Sequence, residues 1–257
     1  MDVNRFDLIR LSLASIVLVY HAFVLSAAQP FGQTELNLAL MSELAIQGFF
    51  IVSGALVYGS YERSRGVMDY AGKRVRRLYP AYVVIILVPS MIALLGSLTS
   101  PGDWGQIARY VGANLAFLNF LATSLPGLFE ANRMSAVNGA LWTLKIEVMF
   151  YLALPILALI LARLGRYWMF GIAVMIIGAF AWREAILTLD HTYSAQLARQ
   201  LPGQMMYFAI GMALWKLWDL VRAQAVTLFC IGAVAVALSL MVPALDASRV
   251  LGLSGLI

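Results

Sequence analysis

The chain has 257 residues, 62% of them apolar and 12% charged, with a mean hydropathy of +0.84. A soluble domain is about 45–50% apolar and about 25% charged, so a water-soluble globule and a disordered chain are both excluded. The net charge of +5 and the pI near 9.5 point to the cytoplasmic loops of a membrane protein rather than to nucleic acid. The single Cys230 excludes an internal disulfide and a cysteine-rich metal site.

A helix needs about 20 mostly apolar residues to cross the hydrocarbon. Such runs are predicted at 8–28, 42–60, 79–98, 141–162, 167–183, 203–220 and 225–243. The sixth is short and carries Lys216 and Asp219 at its end. A weaker run, 107–125, contains Arg109, Asn114 and Asn119 and breaks at Pro126-Gly127. Residues 250–257 read as the start of another span that the chain does not finish. The expected fold is all-α: a polytopic transmembrane helix bundle of about seven full spans, forming a single membrane domain over 1–257 that is incomplete at its C-terminus.

Lys and Arg in short loops set the orientation. With the N-terminus inside, the inner side collects Arg5, Arg10, Arg63, Arg65, Lys73, Arg74, Arg76, Arg77, Arg163, Arg166, Lys216 and Arg222. The outer side collects only Arg109, Arg133, Arg183, Arg199 and Arg249, and Lys145 falls within a span. The N-terminus is therefore predicted to be cytoplasmic. Parity then keeps 107–125 from crossing, because the third span ends outside and the helix at 141–162 starts outside. The segment is expected to lie on the outer face or to dip in and return. Asp2, Asp7 and the intramembrane His21 argue against cleavage of a signal peptide at Ser26-Ala27-Ala28.

Ionisable groups within spans are costly and point to function by default. They are Arg10, His21, Glu43, Lys145 and Glu147. Arg10 and Glu43 lie near span ends, where they can snorkel. Eleven residues separate Arg10 from His21, which puts both on one helix face about 16 Å apart along the axis. That face should line a cavity or a helix interface. Counted from their span ends, His21 and Glu147 both fall roughly 10 Å below the outer surface. An imidazole beside a carboxylate is a base with its orienter, or else a structural hydrogen bond between helices; the residues leave both open. Lys145 is two residues from Glu147, so the two do not face each other, and its expected behaviour is to snorkel outward.

The inner loop 61–78 carries Lys73-Arg74-Val75-Arg76-Arg77. This is either the ordinary positive-inside signal or a cradle for a cytosolic polyanion, since arginine forks match phosphate oxygens. Arg74 and Arg77 share a face if the segment is helical. Phe49-Phe50-Ile51-Val52-Ser53-Gly54 reads as a packing motif, its small residues permitting close helix approach.

Together these pieces resemble membrane acyltransferase family 3, the multi-pass O-acyltransferases of surface glycans. The first span has the family's Arg, ten residues, His pattern as Arg10 and His21. The second has Phe-Phe-x-x-Ser-Gly as Phe49, Phe50, Ser53 and Gly54. The next loop has Arg-x-x-Arg-x-x-Pro as Arg74, Arg77 and Pro80. A later helix has Trp142-Thr143-Leu144-Lys145-Ile146-Glu147, then Phe150-Tyr151 and Pro155, and Gly211 fits a weaker family glycine. The match covers residues 5–220. Family members run longer, and their late Ser-Tyr…Tyr-Leu-x-His segment is absent here.

The resemblance implies an enzyme of the inner (cytoplasmic) membrane that moves an acyl group, acetyl by default, from cytosolic acyl-CoA to a hydroxyl of a glycan or glycolipid. The acceptor could be lipopolysaccharide, capsule or another envelope polysaccharide. It implies donor binding by Arg10, Arg74 and Arg77, with His21 as general base and Glu147 orienting it or stabilising its charged form. Ser53, Gly54, Trp142 and Tyr151 are the supporting residues. Acetyl-CoA enters as a substrate; no metal is expected, and the partners are acyl-CoA, the acceptor and the lipid bilayer, not nucleic acid. The rival readings are a proton-coupled transporter, whose His, Glu and Lys would relay protons, and a non-catalytic membrane scaffold.

Overall fold

The computed structural model describes residues 3–25, 32–96, 103–189 and 191–224. The predicted span at 225–243, the partial span at 250–257, Cys230 and the Ser26-Ala27-Ala28 site lie outside these residues. What is described is helical, with no strand. In chain order the helices are α1 (Val3–Leu25), α2 (Gln33–Glu62), α3 (Val67–Gly96), α4 (Trp104–Leu115), α5 (Leu141–Leu164), α6 (Trp168–Leu187), α7 (Ser194–Ala198), α8 (Leu201–Lys216) and α9 (Trp218–Ala223).

Four stretches of the described chain are long and apolar enough to cross a membrane: Phe6–Val24, Gln33–Glu62, Val67–Gly96 and Leu141–Leu187. The last contains a reversal. Gly165 caps α5 in the positive-φ conformation that glycine adopts freely (φ 51°). A side chain at Gly171 would press on Leu161 and Leu164, so α6 folds back along α5. The predicted runs at 141–162 and 167–183 correspond to these two helices.

Two boundaries differ from the sequence expectation. The third helix begins at Val67, not at residue 79, so the basic cluster Lys73–Arg77 is helical rather than a loop. The helix runs through both Pro80 and Pro89, as membrane helices can when their neighbours satisfy the freed backbone groups. Its start is fastened locally: Asp69 accepts from the Arg65 backbone amide (3.0 Å) and from Lys73 Nζ (2.7 Å). The predicted run at 203–220 is interrupted, with α8 ending at Lys216 after 16 residues, about 24 Å of helix.

The weak run at 107–125 does not form a span. Helix α4 has 12 residues, about 18 Å, and the chain turns at Phe117 with φ 59°. It packs on α3 in a second core of Tyr82, Ile86, Ala93, Ile107, Tyr110, Leu125 and Leu141. Asn114 fixes this turn, its amide donating to the carbonyls of Tyr110 and Ala122 (both 2.9 Å). The main core lies between α2, α5, α6 and α8, with Phe50, Phe150 and Phe208 fully buried at its centre.

Helices α2 and α8 cross at glycines. A Cβ on Gly54 would collide with the Phe208 backbone, and one on Gly211 with the backbone of Ile51, Gly54 and Ala55. Such contacts drive association where lipid removes the hydrophobic incentive. The helices alternate in direction, so polar contacts collect at two ends. At one end Arg77 lies 3.8 Å from Asp7, and Glu62 meets both Trp215 Nε1 (2.7 Å) and Lys216 (3.7 Å). At the other, Arg133 pairs with both oxygens of Glu35, and Trp182 donates to the Leu197 carbonyl (3.3 Å).

Candidate functional site

Glu147 is 2% exposed, on the inward face of α5. Its Oε1 accepts from Ser53 Oγ of α2 (2.9 Å) and from the Tyr151 hydroxyl one turn along α5 (2.6 Å). Arg10 of α1 brings its guanidinium to 4.0 Å from the same oxygen and lies over the Phe49 ring, 5.0 Å from its centre. Three helices thus converge on one carboxylate. The Phe-Phe-x-x-Ser-Gly segment supplies three contacts at once: Phe49 under Arg10, Ser53 to Glu147, and Gly54 at the α2–α8 crossing.

Arg74 enters this network from α3. Its Nη2 donates to Ser60 Oγ (3.0 Å), and its guanidinium faces the rings of Tyr151 (5.8 Å) and Tyr70 (6.0 Å). Its Nε is buried without a hydrogen-bond partner. Tyr70 donates its hydroxyl to the Tyr151 carbonyl (3.2 Å). Tyr70 was not singled out in the sequence, although it precedes Arg74 by four residues on the same helix face. Arg77, one turn on, is exposed beside Asp7. Arg10, Arg74 and Arg77 therefore occupy one end of the bundle, Arg74 turned in and Arg77 turned out.

His21 lies elsewhere. It is buried, 8% exposed, with Nδ1 2.8 Å from the Val17 carbonyl, and the Gly139 carbonyl also faces the ring. The structure does not bring Glu147 to it: among the described residues the carboxylate's partners are Ser53, Tyr151 and Arg10. The expected shared layer fails for a geometric reason. His21 is level with Gly139, just before α5 begins, and Glu147 is six residues past the start of α5, about 9 Å along the helix. Glu147 instead reaches the layer of Arg10, eleven residues from His21 on α1. The shared face of Arg10 and His21 does point inward, while Leu8, Leu11 and Leu18 of the same helix are exposed.

Lys145 points away from Glu147, its ammonium over the Phe120 ring at 5.2 Å. Trp142 packs edge-on to Phe50 and carries the Arg199 guanidinium over its ring at 5.5 Å. Outside the spans, the Glu35 carboxylate raises the Arg133 guanidinium above the usual arginine value, and burial lowers that of Arg199. A surface cleft of about 470 Å³, lined by Asp103, Gln106, Ser124, Leu125, Pro126, Gly127, Glu130 and Ser135, includes none of the expected site residues.

The Acyltransferase domain model matches residues 3–250. The chain is 29% identical, over 99% of its length, to nodulation protein 10 of Rhizobium leguminosarum bv. viciae, of which it covers 74%. It is 28% identical, over 58% of its length, to the O-acetyl transferase of Shigella phage Sf6, covering 44% of that protein. To the acyltransferase MdmB of Streptomyces mycarofaciens it is 25% identical over 71% of its length, covering 45%. The chain thus spans less than half of the latter two relatives. No solved structure matches it. Four stretches of membrane-crossing helix and a family model that spans nearly the whole chain agree: the protein belongs to acyltransferase family 3, a family of acyl-transferring enzymes.

Proposed function

We propose that the chain is an O-acyltransferase of the cytoplasmic membrane, its N-terminus inside, that moves an acyl group from acyl-CoA to a hydroxyl of a cell-surface carbohydrate. Family membership supports acyl transfer, and a phage relative named as an O-acetyl transferase supports acetyl as the group.

The observation that carries the reading is the division of the polar residues between the two ends of α1. At the end of Arg10, Arg74 and Arg77, guanidinium groups gather where a cytosolic nucleotide would arrive. The buried, unpartnered Arg74 Nε supplies a donor for a phosphate oxygen. At the other end stands His21. An Nδ1–H donated to Val17 leaves Nε2 with the basic lone pair. Nε2 takes the proton of the acceptor hydroxyl as its oxygen attacks the thioester carbonyl. The C–S bond then breaks, and the proton passes from the imidazolium to the departing CoA thiolate. The carbonyls of Val17 and Gly139 face the ring and orient it, the part first expected of Glu147. Glu147 acts at the donor end, fixing Arg10 against α2 and α5.

The test is transfer of labelled acetyl from acetyl-CoA to host glycans in membranes that contain the chain, with His21→Ala beside the parent. Base-labile label that His21→Ala abolishes is the expected result. Equal label from both, at equal protein, would overturn His21 as the base.

A further inference from the structure

The end of the bundle that holds His21 carries a second group of side chains that the mechanism above does not use. Tyr20 precedes His21 on α1, the two rings meeting edge to face at 5.4 Å. Its phenol lies within electrostatic reach of Glu35, Glu43, Arg133 and Arg199. Arg133 is committed to both oxygens of Glu35. Glu43 accepts from Gln47 Nε2 at 3.2 Å. Arg199 comes from the short link between α7 and α8, and Trp142 beneath it is three residues past Gly139, whose carbonyl faces His21.

Arg199 is half-buried. Among the described residues its guanidinium has no hydrogen-bond partner and no carboxylate within 4.0 Å. Trp142 lies under the guanidinium carbon at 5.5 Å and offers its five N–H donors no oxygen acceptor. A planar fork of donors is thus kept in place at the same end of the bundle as His21, with its N–H groups open to a ligand. Neighbouring hydroxyls of a sugar ring fit such a fork, and Glu43, within the same cluster, can accept a hydroxyl proton in return.

We infer that Arg199, held over the Trp142 indole at the His21 end of the bundle, is a specificity-determining residue that hydrogen-bonds the hydroxyls of a sugar acceptor. This rests on the acyltransferase reading and assigns its acceptor end. Lysine at this position keeps the charge but loses the fork.

The experiment measures acetyl transfer by the full chain in detergent, from acetyl-CoA to a panel of p-nitrophenyl glycosides, for the parent, Arg199→Lys, Arg199→Ala and Trp142→Phe. Arg199→Ala is expected to raise the KM for the glycoside about ten- to a hundredfold, the size of a lost charged hydrogen bond. The KM for acetyl-CoA should not change. Arg199→Lys should fall between parent and alanine, and Trp142→Phe should raise the same KM by less. A glycoside KM that ignores Arg199 overturns the inference alone. So does a loss of kcat that tracks a fall in melting temperature, because that is structural support only. A parent that acetylates no glycoside overturns both this inference and the sugar-directed reading beneath it.

Discussion

The Glu147 end and the His21 end of the bundle are held in opposite ways. Around Glu147 the partners are side chains: Ser53 of α2, Arg10 of α1 and Tyr151 of its own helix, with Tyr70 and Arg74 of α3 behind Tyr151. His21 is held by backbone carbonyls, one from its own helix and one from the segment before α5. A side-chain network fixes positions but commits its donors and acceptors. A carbonyl on Nδ1 fixes the ring without drawing on a second ionisable side chain. The first arrangement suits an anchor and the second suits a base.

The largest effect should come from His21. General-base action contributes about 10²–10⁴-fold, so His21→Ala should lower kcat by that factor while the protein still folds, since the carbonyls it leaves lie near the end of α1. Its melting temperature in detergent should stay near that of the parent. Loss of folding together with activity would break the contrast, because His21 would then be an anchor as well.

Glu147→Ala should do the reverse and strike stability first. It leaves Arg10, Ser53 and Tyr151 without their common partner inside the bundle. The Arg10 side chain is partly exposed, so the loss falls on Ser53 and Tyr151, two buried hydroxyls left unpaired at about 1–3 kcal/mol each, which thermal unfolding would read as a large drop. Glu147→Gln keeps an acceptor for Ser53 and Tyr151 and loses only the charge that faces Arg10, so it should recover most of the loss. Equal damage from both variants would mean that the Arg10 charge, not the hydrogen bonds, carries the effect.

Much of this was legible in the sequence, and what was not has identifiable causes. Eleven-residue spacing put Arg10 and His21 on one inward face, and the apolar runs at 141–162 and 167–183 gave α5 and its return. The error over Glu147 arose from counting depth separately along two helices, which assumes that their ends are level. No local pattern tells where α5 begins relative to α1. Starting α3 at residue 79 followed the apolar run, which begins after the basic cluster Lys73–Arg77, whereas the helix continues through that cluster and Pro80. Arg199 carried no signal of its own, because its partner Trp142 is 57 residues away and no periodicity links them.

The crossing of α2 and α8 separates packing from chemistry. Gly54→Ala or Gly211→Ala should force the helices apart at a backbone-to-backbone contact, costing about 1–3 kcal/mol by overpacking. Because Ser53 adjoins Gly54, the Gly54 variant should also weaken the hold on Glu147, whereas Gly211→Ala should lower the melting temperature with less change in the KM for acetyl-CoA. If the two variants behave alike in both measurements, the glycines serve only the crossing, and the Ser53 hydrogen bond is not sensitive to it.

The smallest expected effect divides the two arginines of α3. Arg74 faces inward, its guanidinium against Tyr70 and Tyr151 and its Nε buried, so Arg74→Ala should raise the KM for acetyl-CoA about tenfold or more, the value of a charged hydrogen bond to phosphate. Arg77 is exposed, and its 3.8 Å contact with Asp7 is a surface pair worth about 0–1 kcal/mol. Arg77→Ala should therefore change the same KM by no more than about fivefold, and raised salt should erase most of that difference. Both arginines share the sequence motif, so equal shifts would assign phosphate binding to the motif as a whole. Unequal shifts in the stated order would assign it to burial, with Arg74 the anchor and Arg77 a contributor to the field that draws the nucleotide in.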